Sequence, residues 1–251
     1  MEVYNLFWRN VKWRFQNPAT IMMTLMQPLF WLLLFSTMFG GNVTSEGANV
    51  NYTAFILPGI LVMVVLTSAG MSGIANYSLK TGGSFYRIYI SPVRRTSIVL
   101  AHILDAAVLS FIEVIVLVAI SFLMKVNIAS GFLGFLLIII LLFLTILFIA
   151  GMSYALSFLF QDENPFIALV NMFMLPLFFI STALMPYEKI PGGFKIPVIL
   201  NPLTHVINSL RSVILKETVD WPKIIFTIML LAVLGLGSFT FAIYRLNKEN
   251  K

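Results

Sequence analysis

The sequence predicts an all-α polytopic membrane protein. Six transmembrane helices are expected, with an N-terminal interfacial helix, a short cytoplasmic helix between spans two and three, and short re-entrant outer helices between spans five and six. Three observations carry this. The 251 residues are 59% hydrophobic and 10% charged, whereas a soluble domain is about 45–50% apolar and about 25% charged. The mean hydropathy is +0.96. Apolar runs near the ~20 residues that cross a bilayer recur along the chain, and cations collect in alternate connections.

Residues 1–17 place Tyr4, Phe7, Trp8, Val11 and Phe15 on one helix face and Asn5, Arg9, Lys12 and Gln16 on the other. That pattern suits a helix lying in the headgroup plane, in contact with lipid. The apolar run that follows is too long for a cleavable leader. Asn17-Pro18 turns the chain into span one, about residues 19–39. A polar loop without Lys or Arg leads to span two, about 53–77. Residues 78–97 form a basic segment, KTGGSFYRIYISPVRR at its centre. Span three, about 98–124, carries His102, Asp105 and Glu113, and span four covers about 132–160. Span five covers about 166–184 and span six about 223–244.

Between them, residues 185–222 hold Pro186, Pro191, Pro197 and Pro202 among apolar pieces such as FKIPVIL. Asn201-Pro202 reads as a helix cap with proline in the first turn. Broken helices at membrane depth are tolerated when packed on protein or lining a cavity. The segment therefore reads as two short helices folded onto the outer mouth, the alternative being a cap flat on the membrane. Pro186, Asn201, Pro202, His205 and Arg211 are its candidate gate residues. The cation bias puts both termini in the cytoplasm and explains the net charge of +6 without nucleic acid as partner. The chain reads as a single domain, 1–251, in a cell membrane.

The chain has no cysteine and two histidines, so thiolate metal sites and disulfides are excluded and no metal site is expected. Gly82-Gly83 is followed by Ser84-Phe85 rather than a phosphate-loop lysine, so no nucleotide-binding domain is expected. Gly70-Met71-Ser72-Gly73 spells the GxSG of intramembrane serine proteases, yet neither His102 nor His205 is predicted opposite Ser72. Small residues there also suit close helix packing. Glu113 lies near the middle of span three. Two readings stay open for it: a proton or cation relay, as in a proton-coupled carrier, and a polar anchor bonded to a neighbouring helix. Gln27, Thr67, Ser72, Asn76 and Asn171 are polar positions inside spans, suited to a substrate path or to interhelical hydrogen bonds.

LMQPLFWLLLFSTMFG, FILPGILVM, ISPVRRTSIVLAH, STALMPYEKIP and NPLTHVINSLR occur in this order along nearly the whole chain. In them the chain resembles the membrane subunit of ABC-2 type ABC exporters, especially the daunorubicin-resistance-like permeases. The resemblance implies that the 78–97 segment carries a coupling helix docked on a separate ATPase. Phe85, Ile88 and Tyr89 give SFYRIYI a small apolar face; Tyr86 and Arg87 lie beside it, and Pro92 ends it. The alternative for this segment is a topogenic loop held against anionic lipid. The resemblance further implies two ATPase subunits, a second permease chain as homodimer or heterodimer, and ATP and Mg bound by the ATPase rather than here. It implies a prokaryotic exporter of an amphipathic drug, lipid or peptide; a polysaccharide or lipid-linked glycan is the alternative cargo.

Overall fold

The computed structural model describes residues 3–4, 6–8, 12, 18–39, 52–81, 93–124, 126 and 128–248. The described residues are helical apart from turns and short connections, with no strand among them. Helix α1 is Pro18–Phe39, α2 Tyr52–Gly70, and α3 Ile74–Thr81, with a 3-10 turn Met71–Gly73 between the last two. Then come α4 Arg95–Leu123, α5 Gly131–Ser157, α6 Glu163–Phe179, α7 Lys195–Leu200, α8 Pro202–Leu215 and α9 Trp221–Lys248.

Four stretches are long and apolar enough to cross a membrane: Tyr52–Tyr77, Arg95–Leu123, Gly131–Ser157 and Trp221–Lys248. A fifth arises if the bent pair Gly192–Leu200 and Pro202–Leu215 is one span. The pair bends by 86°, because Asn201 is extended and Pro202 starts the new helix. Helix α6 has 17 residues, about 26 Å at 1.5 Å per residue, short of the ~30 Å hydrocarbon layer. Hydropathy alone carries this run on to 184, but the helix stops at Phe179 and the chain continues as turns. Ile180, Ala183 and Leu184 keep the run hydrophobic on average across Ser181 and Thr182, which hides the break. The helical starts of spans three and six lie a little earlier than hydropathy marks them, at Arg95 and Trp221. Polar residues lengthen a helix at the membrane surface without adding to its apolar run.

Helix α2 is apolar all round and buried along nearly its whole length, as suits a central helix. Ser36 Oγ lies 2.5 Å from Thr53 Oγ1, joining the end of α1 to the start of α2. Ser68 Oγ lies 2.6 Å from Ser110 Oγ, joining α2 to α4. Helix α9 lies along α5. A Cβ added at Gly151 would come within 2.7 Å of Ser238 Oγ, so the small residue there lets the two backbones approach. The other face of α9, with Phe226, Met229, Val233 and Leu236, is exposed as a lipid-facing helix requires.

Gly59 sits in the middle of α2 against the turn that follows α6. A Cβ there would meet the Ala183 carbonyl oxygen at 2.9 Å. Backbone cannot swing aside as a side chain can, so Gly59→Ala is expected to destabilise by about 1–3 kcal/mol. A Cβ at Gly193 meets nothing within 4 Å, so Gly193→Ala is the neutral control. Thermal unfolding of the detergent-purified variants measures both.

Candidate functional site: a cavity under a latched helical hairpin

The site begins with two breaks in helical backbone. A broken helix frees N–H and C=O groups, and in hydrocarbon each must find a partner within the protein. At the first break, Ser153 of α5 serves both sides of the 3-10 turn. Its Oγ accepts from the Gly73 N–H at 3.0 Å and donates to the Gly70 carbonyl at 2.5 Å. Below it, Asn76 Nδ2 donates to Ser157 Oγ at 3.0 Å, and the Tyr77 hydroxyl donates to the Ser157 carbonyl at 2.8 Å. Tyr77 also packs on Phe166, ring centres 5.6 Å apart. The start of α6 is thus held beside α3.

The second break follows α6. Asn201 Nδ2 donates to the carbonyls of Leu177 and Ile180, both at 2.6 Å. Its Oδ1 accepts from the Leu203 N–H at 3.0 Å, capping α8. Arg211 Nη2 donates to the Thr182 carbonyl at 2.7 Å, and Nε to the Phe55 carbonyl of α2 at 3.2 Å. The guanidinium also lies over the Phe55 ring, 3.9 Å from its centre. Thr182 Oγ1 donates to Asn208 Oδ1 at 2.8 Å. Asn201 and Arg211 therefore latch the α7–α8 hairpin to the end of α6 and to α2. Asparagine and arginine suit this latch because each presents several donors in fixed geometry to clustered carbonyls. His205 faces the other way, Nε2 2.9 Å from the Ile199 carbonyl and its ring edge-on to Phe226 of α9. Pro202 occupies the first turn of α8, and Pro186 precedes the 3-10 turn Tyr187–Lys189.

Between the breaks lies a cavity of about 620 Å³, walled by α1, α2, α4, α6 and the 3-10 turn. Gln27, Thr67, Ser72, Asn171 and Glu113 all line it. Asn76 does not; it is buried in the α3–α5 contact. Ser72 Oγ donates to the Ala69 carbonyl at 2.6 Å, an ordinary intrahelical bond. His102 packs on Tyr154 of α5, ring centres 4.3 Å apart.

The lining is segregated along the cavity. Helix α2 runs antiparallel to α1, since Ser36 meets Thr53, and to α6, since Tyr77 meets Phe166 while Gly59 meets Ala183. On α1, Thr24 and Gln27 precede Trp31 and Phe35; on α6, Asn171 precedes Phe178 and Phe179. On α2 the order reverses: Ile60 and Met63 come before Thr67, Ser68 and Ser72. The polar groups thus share one end and the aromatic groups the end under the latched hairpin. Pockets of about 300–1,000 Å³ with few polar groups among apolar walls suit drug-sized ligands.

Sequence reasoning missed Ser153, Asn208 and Trp31. A serine in a long apolar run signals a polar contact but not with whom, and an aromatic residue in a span carries no sign of whether it faces lipid or a cavity. The coupling residues Phe85, Tyr86, Arg87, Ile88, Tyr89 and Pro92 lie outside the described residues.

The described residues form an apolar helical bundle around a partly open cavity with polar and aromatic walls. Residues 1–215 match the ABC-2 type transporter family, and the chain belongs to it. A putative transport permease, ycf38, of Porphyra purpurea is 32% identical over 211 residues, 83% of this chain and 71% of that protein. Its counterpart in Pyropia yezoensis is 30% identical over 226 residues, 88% of this chain and 75% of that protein. The daunorubicin resistance ABC transporter permease protein DrrB1 of Streptomyces coeruleorubidus is 22% identical over 194 residues, 77% of this chain and 68% of that protein. The chain is a multi-pass membrane permease, a transport subunit of a family that works with ABC ATPase partners.

The latch makes a sign-specific prediction. Asn201→Ala leaves two carbonyls and one N–H without their bonds, a loss of about 3 kcal/mol. Asn201→Asp keeps the cap acceptor but turns an oxygen toward two carbonyl oxygens, so it is expected to be at least as damaging. The unfolding midpoints of the two variants in detergent, side by side, measure this.

Proposed function

We propose that the chain is the permease of an ATP-driven exporter, and that the cavity between α1, α2, α4 and α6 is part of its substrate path. The observation that carries this is the segregated lining, which fits an amphipathic cargo such as a drug, lipid or peptide. Six spans complete the topology. Helix α1 is the first, α6 with the turns to Leu184 is the fifth, and the α7–α8 hairpin of the 185–222 segment closes the outer mouth. Both termini are cytoplasmic, in the cell membrane of a prokaryote, and residues 1–17 lie along the membrane surface.

Two permease chains pair above two ATPase subunits, which bind ATP and Mg. Residues 78–97 dock on the ATPase, with Phe85, Ile88 and Tyr89 in a groove and Arg87 at its rim. Closure of the ATPases pulls on this segment, and the nearest break in α2 is the 3-10 turn at Met71–Gly73. A short 3-10 stretch inside a helix is a site where motion can be absorbed. Movement there reshapes the polar end of the cavity, which Ser72 lines.

Arg87→Glu is expected to weaken co-purification of the ATPase by about tenfold, the equivalent of about 1.4 kcal/mol, and to lower transport with it. Unchanged association and unchanged transport would refute the docking role.

A further inference from the structure

We propose that the cavity selects uncharged amphiphiles whose head pairs hydrogen-bond donors with acceptors, a carboxamide or hydroxyl head, and that Gln27 and Asn171 read that head. The inference rests on the reading that the cavity holds the cargo. Most polar groups at that end are already engaged within the protein. Thr67 Oγ1 donates to the Met63 and Val64 carbonyls at 3.1 and 3.0 Å. Ser68 Oγ donates to the Val64 carbonyl at 2.9 Å, and Ser72 Oγ to the Ala69 carbonyl at 2.6 Å. Glu113 lines the cavity but is 1% exposed, so it offers a cargo almost no surface. Gln27 and Asn171 differ. Both are exposed, and both line the cavity without a hydrogen bond to any described residue.

The two amides stand on different walls, Gln27 on α1 and Asn171 on α6, and both helices pack on α2. Each carboxamide carries two N–H donors and an acceptor oxygen. Together they complement a head that both donates and accepts. A head that only accepts satisfies their N–H groups but leaves their oxygens without donors. A charged head fares worse. An ion leaving water needs an opposite charge within reach, and the exposed polar lining among the described residues is neutral. Trp31 and Phe35, stacked with ring centres 5.2 Å apart on α1, and Phe178 and Phe179 on α6 take the apolar body. The head's chemistry thus separates this cargo from one bearing phosphate or pyrophosphate.

The test uses probes that share a bromophenylalkyl body and differ in the head: carboxamide, methyl ketone, trimethylammonium or sulfonate. Bromine quenches tryptophan emission on contact. The chain has four tryptophans. Replacing Trp8, Trp13 and Trp221 with phenylalanine leaves Trp31 as the reporter on the cavity wall. A companion variant keeps only Trp221, exposed at the start of α9, and reports partitioning into lipid. Quenching is titrated on the full chain in nanodiscs. The expected result is saturable quenching of Trp31 by the carboxamide probe, about tenfold tighter than by the ketone and tighter than by either ion. Gln27→Leu and Asn171→Leu break no hydrogen bond to a described residue, and together they should bring the carboxamide down to the level of the ketone. Circular dichroism and gel filtration establish that the variants are folded. Equal affinity for carboxamide and ketone, a charged probe binding as tightly as the carboxamide, or a carboxamide preference that survives the double substitution would overturn the head recognition while leaving the cavity as a binding site. No quenching of Trp31 beyond the Trp221 level by any probe would overturn the cavity reading itself, and the head recognition with it.

Discussion

Backbone groups released inside hydrocarbon have no water to turn to, and this constraint organises the protein. The chain breaks its helices twice beside the cavity, after Gly70 and after Phe179. Each break is answered by polar side chains from another element. Ser153 reaches from α5 to both sides of the 3-10 turn. Asn201 and Arg211 reach from the α7–α8 hairpin to the carbonyls that α6 leaves behind. Without these partners the two breaks would each expose several unpaired groups, and continuous helices would be the lower-energy solution. With them, α2 passes into a tied 3-10 turn after Gly70 and packs against Ala183 at Gly59, and the space between becomes the cavity.

The same contacts divide the molecule into a firm part and a looser one. Helices α2, α4, α5 and α9 pack through small and hydroxyl residues, with Gly151 against Ser238 and Ser68 against Ser110. Helices α1 and α6 touch this core along narrow stripes. On α1, Leu32 and Ser36 are buried while Met22, Met26, Phe30 and Met38 are exposed. On α6, Phe166, Val170 and Phe178 are buried while Met172, Phe173, Leu175 and Phe179 are not. These two lightly held helices supply much of the cavity wall. A wall able to move against a fixed core suits a path that must open and close.

Much of this was legible in the sequence, for reasons that differ by residue. The long spans follow from hydropathy alone, because apolar length is a composition property. The hairpin was readable because Asn201-Pro202 is a local cap signal and its prolines punctuate the segment. Gln27, Thr67, Ser72, Asn171 and Glu113 could be picked out as polar residues in spans, yet their convergence on one cavity depends on helix directions and rotations. Asn76 carries the same signal and goes to a helix contact instead, since Ser157 lies opposite it. The end of α6 at Phe179 was not legible, because Ser181 and Thr182 are small enough for a membrane helix and nothing local shows that the carbonyls of Ile180 and Thr182 turn to Asn201 and Arg211. Long-range donors leave no trace in the segment that receives them.

The central claim is that the cavity answers to the ATPase. The chain contains no cysteine, so a single one at Thr67, on the cavity wall, can be labelled without background. Its rate of reaction with a membrane-impermeant maleimide would be measured in inside-out vesicles holding both subunits. The rate would be compared with and without a nonhydrolysable ATP analogue, against a control cysteine at Lys248, exposed at the end of α9. The account predicts that nucleotide changes the rate at position 67 severalfold and leaves position 248 unaltered. Equal rates at position 67 with and without nucleotide would contradict it.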